Sequence, residues 1–234
     1  MCGRFAITLP DGAMAQLFDA LPGNDLPQGA RYNVCPTQPV AVCTAEEGQR
    51  RLRTMRWGFI PHWYKTPTDG PLLINARADT IAEKPAFRAA VRQRRCLIPA
   101  DGFYEWTRAE GQTPLPWFIT RADGEPIVFA GIWQDWEKDG HDPMRTCAMV
   151  TTQAEGPMTD IHHRVPVVLE PRDWPLWLGE EGKGAARLMS APAPEVLRFH
   201  RVRTEVNSNR ASGPQLIEPL EGQSWLPIAR SAAG

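Results

Sequence analysis

Proline is the feature that most limits what this chain can fold into. The 234 residues include 23 prolines, and these occur along the whole sequence. Proline lacks a backbone N–H and is tolerated mainly in loops, in first helical turns and at strand ends. The sequence therefore predicts many short elements joined by loops, rather than long helices.

The hydrophobic pattern predicts more strands than helices. Period-two or short apolar runs predict strands at 3–8, 40–44, 52–57, 96–99, 102–106, 115–120, 127–133 and 144–151. Helical spacing predicts helices at 11–21, with Asp11 as the cap, at 80–95, the clearest candidate, and at 170–178 and 193–199. Because strands and helices do not alternate regularly, we expect an α+β fold with a mostly antiparallel, barrel-like sheet and flanking helices.

Composition indicates one soluble globular domain. Hydrophobic residues make up 42% and charged residues 23% of the chain, which excludes general disorder. No repeat or linker divides the sequence, so we expect a single domain at 1–225 and a frayed tail at 226–234. The formal net charge of −1 gives no global cationic field, so any nucleic-acid site must be a local patch.

The termini and cysteines favour a cytoplasmic protein without metal or membrane contacts. No apolar leader follows Met1, and no apolar run approaches the ~18 residues of a membrane span. The five cysteines are widely spaced and form no C-x-x-C pair, which favours reduced thiols over disulfides or a zinc site.

Cys2 is the first residue whose chemistry is unusual for its position. Removal of Met1 would leave an α-amine and a thiol on adjacent carbons. Their ordinary pKa values, ~7.7–8.0 and ~8.5, leave each partly nucleophilic near neutral pH. Such a group can attack an acyl carbon, or it can condense with an aldehyde to an imine and then a thiazolidine. A cysteine at position 2 is also compatible with no activity.

Two further segments carry polar groups among apolar residues. In 73–79, period two places Asn75, Arg77 and Asp79 on one strand face, which could equally be a solvated edge. In 100–106, Glu105 lies between aromatic residues. Desolvation there would raise the pKa of this carboxyl and suit it to proton transfer, although a surface glutamate fits the spacing too.

Adjacent imidazoles occur at His162 and His163, beside Arg164. Histidine can give and take protons near neutral pH. Since neighbouring strand residues point to opposite faces and no second ligand cluster is present, a metal site is disfavoured.

A basic stripe is predicted on the 80–95 helix. Its members recur every three or four residues: Lys84, Arg88, Arg92 and Arg95. A solvated helix face explains such a stripe. Together with Trp63 and Tyr64, however, Arg88 and its neighbours provide the charge and aromatic surface used on single-stranded nucleic acid.

Seven short stretches together resemble one family. They are, in order, MCGRF at 1–5, RYNVCP at 31–36, RWGFIPHW at 56–63, INARADT at 74–80, ADGFYEW at 100–106, FAGIW at 129–133 and IHHRVP at 161–166. This series resembles the SRAP family, the SOS response-associated peptidases or abasic-site processing proteins, over nearly the whole chain.

The resemblance implies a single α+β domain that recognises an abasic site in single-stranded DNA. Cys2, freed of Met1, would form a thiazolidine crosslink with the ring-opened sugar, without any cofactor or metal and as a monomer. Asn75 would position the N-terminal group, Glu105 would exchange protons with the amine, and His162 would assist ring opening. The implied DNA-binding set is Arg4, Asn33, Pro36, Trp63, Tyr64, Arg77, Arg88 and Arg164.

This chain departs from the family pattern at three positions. Cys35 stands where a small Ala or Ser is expected, His163 where Asp is frequent, and Val165 where Met is frequent. The first places a second thiol near the predicted site. The chemistry also requires that Met1 be absent, because an acylated Cys2 has no free amine.

Two other functions remain compatible with the sequence. Met-Cys-Gly also opens class II glutamine amidotransferases, so Cys2 could serve an amidohydrolase or a thiol peptidase, whose substrate could even be its own Met1. Alternatively, the arginines and Trp63 could form a non-catalytic single-stranded DNA-binding module.

Overall fold

Short strands dominate the computed structural model, which describes residues 2–108 and 110–220. The strands, numbered in chain order, are Phe5–Ile7 (β1), Leu21–Pro22 (β2), Arg31–Val34 (β3), Pro39–Glu46 (β4), Gln49–Trp57 (β5), Asn75–Arg77 (β6), Arg95–Ala100 (β7), Gly102–Thr107 (β8), Leu115–Arg121 (β9), Ile127–Trp136 (β10), Met144–Gln153 (β11), Arg164–Pro166 (β12) and Leu197–Arg201 (β13). The α-helices are Asp11–Phe18 (α1), Ala90–Gln93 (α2) and Trp174–Leu178 (α3). Short 3₁₀ turns occupy Gly156–Asp160, Pro171–Asp173, Ala185–Leu188, Pro194–Val196, Thr204–Asn207 and Pro214–Leu216.

The strands form two sheets. One has the order β13-β9-β8-β1-β3, and the other has the order β12-β11-β10-β7-β4-β5-β2, with β6 attached to β11. Most pairs are antiparallel, while β2–β5, β5–β11 and β6–β11 are parallel. The predicted α+β fold with a mostly antiparallel sheet is confirmed. Its strands are divided between two sheets, and the β5–β11 pair folds the larger one back on itself.

The main core lies between the two sheets. Phe5 and Phe103 from the smaller sheet pack against Trp57 and Phe129 from the larger one, with ring centroids 5.2–6.3 Å apart. Cys2 belongs to this core and is 1% exposed. The position of the N-terminal segment is therefore fixed by burial of its neighbours.

A second core lies on the other face of the larger sheet. Here α1 and α3 cover the strands, and Phe18 of α1 packs on Trp174 of α3 at 5.0 Å. The larger sheet is thus buried on both faces, which explains the continuous apolar run in β10. Within the described residues, no helix is both long and apolar enough to cross a bilayer.

The helix predicted at 80–95 is wrong for most of its length. Residues 80–89 form successive turns, and only Ala90–Gln93 is α-helical. Pro85 explains the difference, because it has no N–H to donate and disfavours the helical conformation at Lys84. Arg95 begins β7, where its guanidinium donates to the Trp177 and Val91 carbonyls, so the predicted basic stripe does not form.

Two other helix predictions need shorter bounds. The first helix ends at Phe18, because Asp19 adopts a left-handed conformation (φ 49°), and Asp11 is its first residue rather than its cap. The prediction at 193–199 is wrong beyond the 3₁₀ turn Pro194–Val196, since β13 follows at once. The helix predicted at 170–178 is confirmed as a 3₁₀ turn leading into α3. The predicted tail at 226–234 lies outside the described residues.

Candidate active site

Pairing of β1 with β8 brings the start of the chain to Glu105. Phe5 lies opposite Phe103, and the Tyr104 N–H donates to the Arg4 carbonyl at 3.0 Å. Because the strands are antiparallel, residues that precede Phe5 run beside those that follow Phe103. Cys2 and Glu105, more than 100 positions apart in sequence, become neighbours at this edge.

Asn75 holds the backbone of Cys2. Parallel pairing of β6 with β11 places Asn75 beside Met149, and the Asn75 Nδ2 donates to the Cys2 carbonyl at 2.8 Å. The Asn75 Oδ1 is buried and has no hydrogen-bond partner among the described residues. The amide thus fixes Cys2 while keeping one acceptor available beside it.

Glu105 is a buried carboxyl suited to proton exchange. Its side chain is 2% exposed, and burial raises its pKa to about 7. The nearby charge of Arg108 opposes this effect and favours the ionised form. Near neutral pH, Glu105 therefore accepts and donates protons with similar ease.

The raised pKa of Glu105 gives a stability prediction. An unfolded glutamate has a pKa of ~4.3, so between this value and about 7 the folded state binds more protons and stability falls as pH rises. Glu105→Gln removes this loss. We expect its free energy of unfolding, relative to wild type, to increase by about 3 kcal/mol between pH 4 and pH 8. Urea denaturation at both pH values measures it, and a constant difference would contradict the assignment.

His162 is held by the backbone of Arg164. Its Nδ1 is 3.0 Å from the Arg164 backbone nitrogen and 3.2 Å from the Arg164 carbonyl oxygen. Burial, the largest cause, lowers its pKa to about 4. Its ring stacks on His163 with centroids 4.3 Å apart, which fixes the plane of the imidazole.

The Cys2 thiol is held in its protonated form. Burial and then the charge of Glu105 raise the pKa of this thiol well above its usual value. A neutral imidazole at His162 does not provide the cation of a thiolate–imidazolium pair. The thiol is therefore protonated near neutral pH.

An open cleft lies beside these groups. Its lining residues are Gly3, Arg4, Glu105, Trp106, Arg108, Pro114, His162 and Asn207. Arg108, Pro114 and Asn207 were not predicted as site residues. No local sequence pattern identifies Asn207 as a site residue, because it is about 100 positions away from Glu105. Arg108 lies two residues beyond the aromatic stretch that contains Glu105, so its proximity to Glu105 in sequence was a signal.

Comparison with known proteins decides the family. The model of the SOS response associated peptidase (SRAP) family matches residues 1–209. The chain belongs to the SRAP family. The resemblance seen in the seven sequence stretches is confirmed.

Similar proteins of this family come from distant organisms. The chain is 35% identical over 224 residues to the abasic site processing protein YoqW of Bacillus subtilis, covering 93% of this chain and 99% of that one. It is 33% identical over 228 residues to the abasic site processing protein YedK of Escherichia coli, covering 94% and 100%. A solved Bacteroides thetaiotaomicron structure has the same fold, with a TM-score of 0.81 at 24% identity, covering 94% of this chain and 100% of that one.

Arg4 and Asn33, two of the predicted DNA-binding residues, both contact a late segment of this SRAP protein. The Arg4 Nη1 donates to Asn33 Oδ1 and to the Val206 carbonyl, each at 2.8 Å. The Asn33 Nδ2 donates to the Ser208 and Ala211 carbonyls. Both side chains therefore hold residues 206–211 against the site, a role that the sequence did not suggest.

Cys35 lies close to these two residues. Its Sγ is 3.5 Å from the Asn33 carbonyl oxygen and 3.7 Å from that of Asn209. Burial raises the pKa of this thiol, while the charges of Arg4 and Arg31 oppose the shift. The second thiol is thus buried beneath the strap of residues 206–211, and all five cysteines are free.

Arg77 and Arg164 lie together at a second open cleft. Its other lining residues are Asp79, Thr152, Gln153 and His163. Arg77 is exposed and pairs with Asp79 at 2.8 Å, whereas Arg164 is 6% exposed and donates to the Thr151 carbonyl at 2.7 Å. The stacked imidazoles link this cleft to the first, since His162 lines one and His163 lines the other.

The remaining predicted DNA-binding residues lie in turns and loops. Trp63 is 45% exposed, while the adjacent Tyr64 is buried against Ile60 and Trp136. Pro36 is half-buried in the turn after β3, and Arg88 is exposed in the turns before α2. Of the two neighbouring aromatic rings, only Trp63 presents a surface to stack on a base. Among the described residues, no group of three or more His, Cys, Asp or Glu side chains could hold a metal ion.

Proposed function

We propose that this protein captures abasic sites in single-stranded DNA through a covalent bond to Cys2. The observation that carries the proposal is the position of a backbone-anchored Cys2 beside Glu105, which lines one cleft together with the neutral His162. Relatives along almost the whole chain are named abasic site processing proteins, which supports DNA as the substrate.

The first step is hydrolysis of the Met1–Cys2 peptide bond, which consumes one water and frees the α-amine of Cys2. An aminopeptidase can carry out this step, and so can the protein itself. The freed amine then attacks C1′ of the ring-opened sugar aldehyde, and loss of one water gives an imine. Finally, the Cys2 sulfur adds to the imine carbon while its proton passes to the nitrogen, which closes the thiazolidine ring.

The neighbouring side chains meet the needs of these steps. Asn75 fixes the Cys2 carbonyl, and its buried Oδ1 is available to accept a hydrogen bond from the freed amine. Glu105 removes a proton from the N-terminal ammonium to give the attacking amine, and it then returns a proton to the hydroxyl that leaves the carbinolamine as water. His162, which lines the same cleft, gives a proton to the sugar oxygen as the ring opens.

A thiol peptidase fits the geometry less well. Such an enzyme needs a thiolate, which an imidazolium or another cation ordinarily stabilises. Here the pKa of the Cys2 thiol is raised and that of His162 is lowered, so both groups are neutral at pH 7. Imine formation begins at the amine and requires no preformed thiolate.

Intact-mass spectrometry tests the proposal. The protein lacking Met1 is mixed with single-stranded DNA that carries one abasic site, and with the same strand undamaged as the control. We expect a new species heavier by one DNA strand minus one water, formed only with the abasic strand. Cleavage of peptide substrates without an adduct would instead establish a peptidase, and reversible DNA binding alone would establish a binding module.

Arg77 offers a test of the DNA-binding surface. Because its exposed guanidinium lies in the second cleft, Arg77→Ala should weaken binding to single-stranded DNA by about 3- to 10-fold and reduce the salt slope by ~0.7. Fluorescence anisotropy over a series of salt concentrations measures both quantities. Arg172→Ala, at an 85% exposed arginine outside both clefts, is the control. An unchanged salt slope in Arg77→Ala would exclude a phosphate contact.

A further inference from the structure

Arg108 is an available cation at the cleft that contains Glu105. It lies just beyond the end of β8, is exposed, and lines the cleft with Glu105 and His162. Among residues 2–108 and 110–220, no carboxylate lies within salt-bridge distance of it and no hydrogen bond engages its guanidinium. Arg4, the other arginine of this cleft, is committed to Asn33 and Val206.

The charge of Arg108 reaches the reacting groups. Burial raises the pKa of Glu105 and lowers that of His162, and the charge of Arg108, which lines the same cleft, has a smaller lowering effect on both. Any anion bound by Arg108 would therefore lie close to the position that the aldehyde must occupy.

The wall beside Arg108 is rigid and partly apolar. The Trp106 Nε1 donates to Asn207 Oδ1 at 2.6 Å, and the Asn207 Nδ2 donates to the Pro114 carbonyl at 3.0 Å. The Arg4 guanidinium lies over the Trp106 ring, 5.8 Å from its centroid. The ring is thus locked in plane at the cleft, as a surface against which a sugar or base can pack.

We propose that Arg108 binds the phosphate adjoining the abasic sugar, with Trp106 packed against the neighbouring nucleotide. A guanidinium matches two phosphate oxygens in a bidentate arrangement, which favours this ligand over an uncharged one. The cleft then selects an aldehyde held in a phosphodiester strand over a small free aldehyde. This inference rests on the proposed function, because it names what the capture site recognises.

Capture rates with two aldehydes test the selectivity. One substrate is the abasic-site oligonucleotide, and the other is 2-deoxyribose, which has no phosphate. Arg108→Ala should reduce the second-order rate constant about 10- to 100-fold with the oligonucleotide and less than about 2-fold with deoxyribose. Arg108→Lys should recover part of the loss, and Arg172→Ala should have no effect. Equal losses on both substrates would overturn the proposal, as would no loss on either.

A binding measurement separates this inference from the capture chemistry. In the Cys2→Ala background, an oligonucleotide with a tetrahydrofuran abasic analogue binds without reacting. Arg108→Ala in that background should weaken binding and reduce the salt slope by ~0.7. If capture is never observed but this effect is, the phosphate subsite stands while the proposed function falls. If binding is unchanged, the subsite is excluded whether or not capture occurs.

Discussion

Cys2→Ala is expected to lose more than about 99% of stable crosslinking to abasic DNA, because ring closure needs the sulfur. The variant keeps an N-terminal amine once Met1 is removed, and so does Cys2→Ser. Both should still form the imine, which borohydride reduction converts to a stable amine. Gel electrophoresis of reactions with and without borohydride measures the two adducts separately.

Retention of DNA binding makes this result interpretable. The Cys2 carbonyl, rather than its side chain, accepts the hydrogen bond from Asn75, so that contact survives in both variants. We expect their dissociation constants for single-stranded DNA to remain within about twofold of wild type. A borohydride-independent adduct formed at the wild-type rate in Cys2→Ala would rule out the thiazolidine. The same adduct in an acetylated protein would rule out the amine.

Glu105→Gln is expected to slow capture by about 100-fold at pH 7, the usual contribution of one general acid–base group. Glutamine keeps the size of the side chain but cannot exchange the proton. With wild type, the rate should rise as pH increases through about 7, because the ionised carboxylate is the form that accepts the proton. This inflection should be absent in Glu105→Gln.

The exposed Glu125 provides a matched control for that substitution. Glu125→Gln should leave both the rate and its pH profile unchanged. If Glu105→Gln weakened DNA binding as much as it slowed capture, then Glu105 would act in recognition rather than in the covalent step. An inflection that persisted in the variant would assign the titration to another group.

The elements that the sequence predicted well are those fixed by local pattern. Alternating or continuous apolar runs identified most of the strands, because burial imposes the same periodicity wherever the strand lies. The 80–95 helix failed because helical spacing was given more weight than the single Pro85 that breaks it. The short strand β12 has only three residues, too few to show a period.

The contacts that build the candidate site could be predicted from the sequence only in part. Cys2, Asn75, Glu105 and His162 were identified from family motifs, and the structure brings Asn75 and Glu105 to Cys2. The internal roles of Arg4 and Asn33 depend on contacts across more than 170 positions, and no local pattern encodes such contacts. For the same reason, the number of arginines did not show which guanidinium groups are bonded within the protein. Arg4 is bonded to Asn33 and Val206, whereas Arg108 has no such partner among the described residues.

The strap of residues 206–211 has a consequence for the order in which the protein becomes active. A wall of the reactive cleft, through Asn207, and the anchors for Arg4 and Asn33 all come from this late segment. During synthesis, the amino terminus leaves the ribosome long before this strap has been made. A nascent chain therefore lacks one wall of the cleft and the anchors of Arg4 and Asn33 until residue 211 has been made. The candidate site is thus assembled late in synthesis, although its first residue is among the earliest to be made.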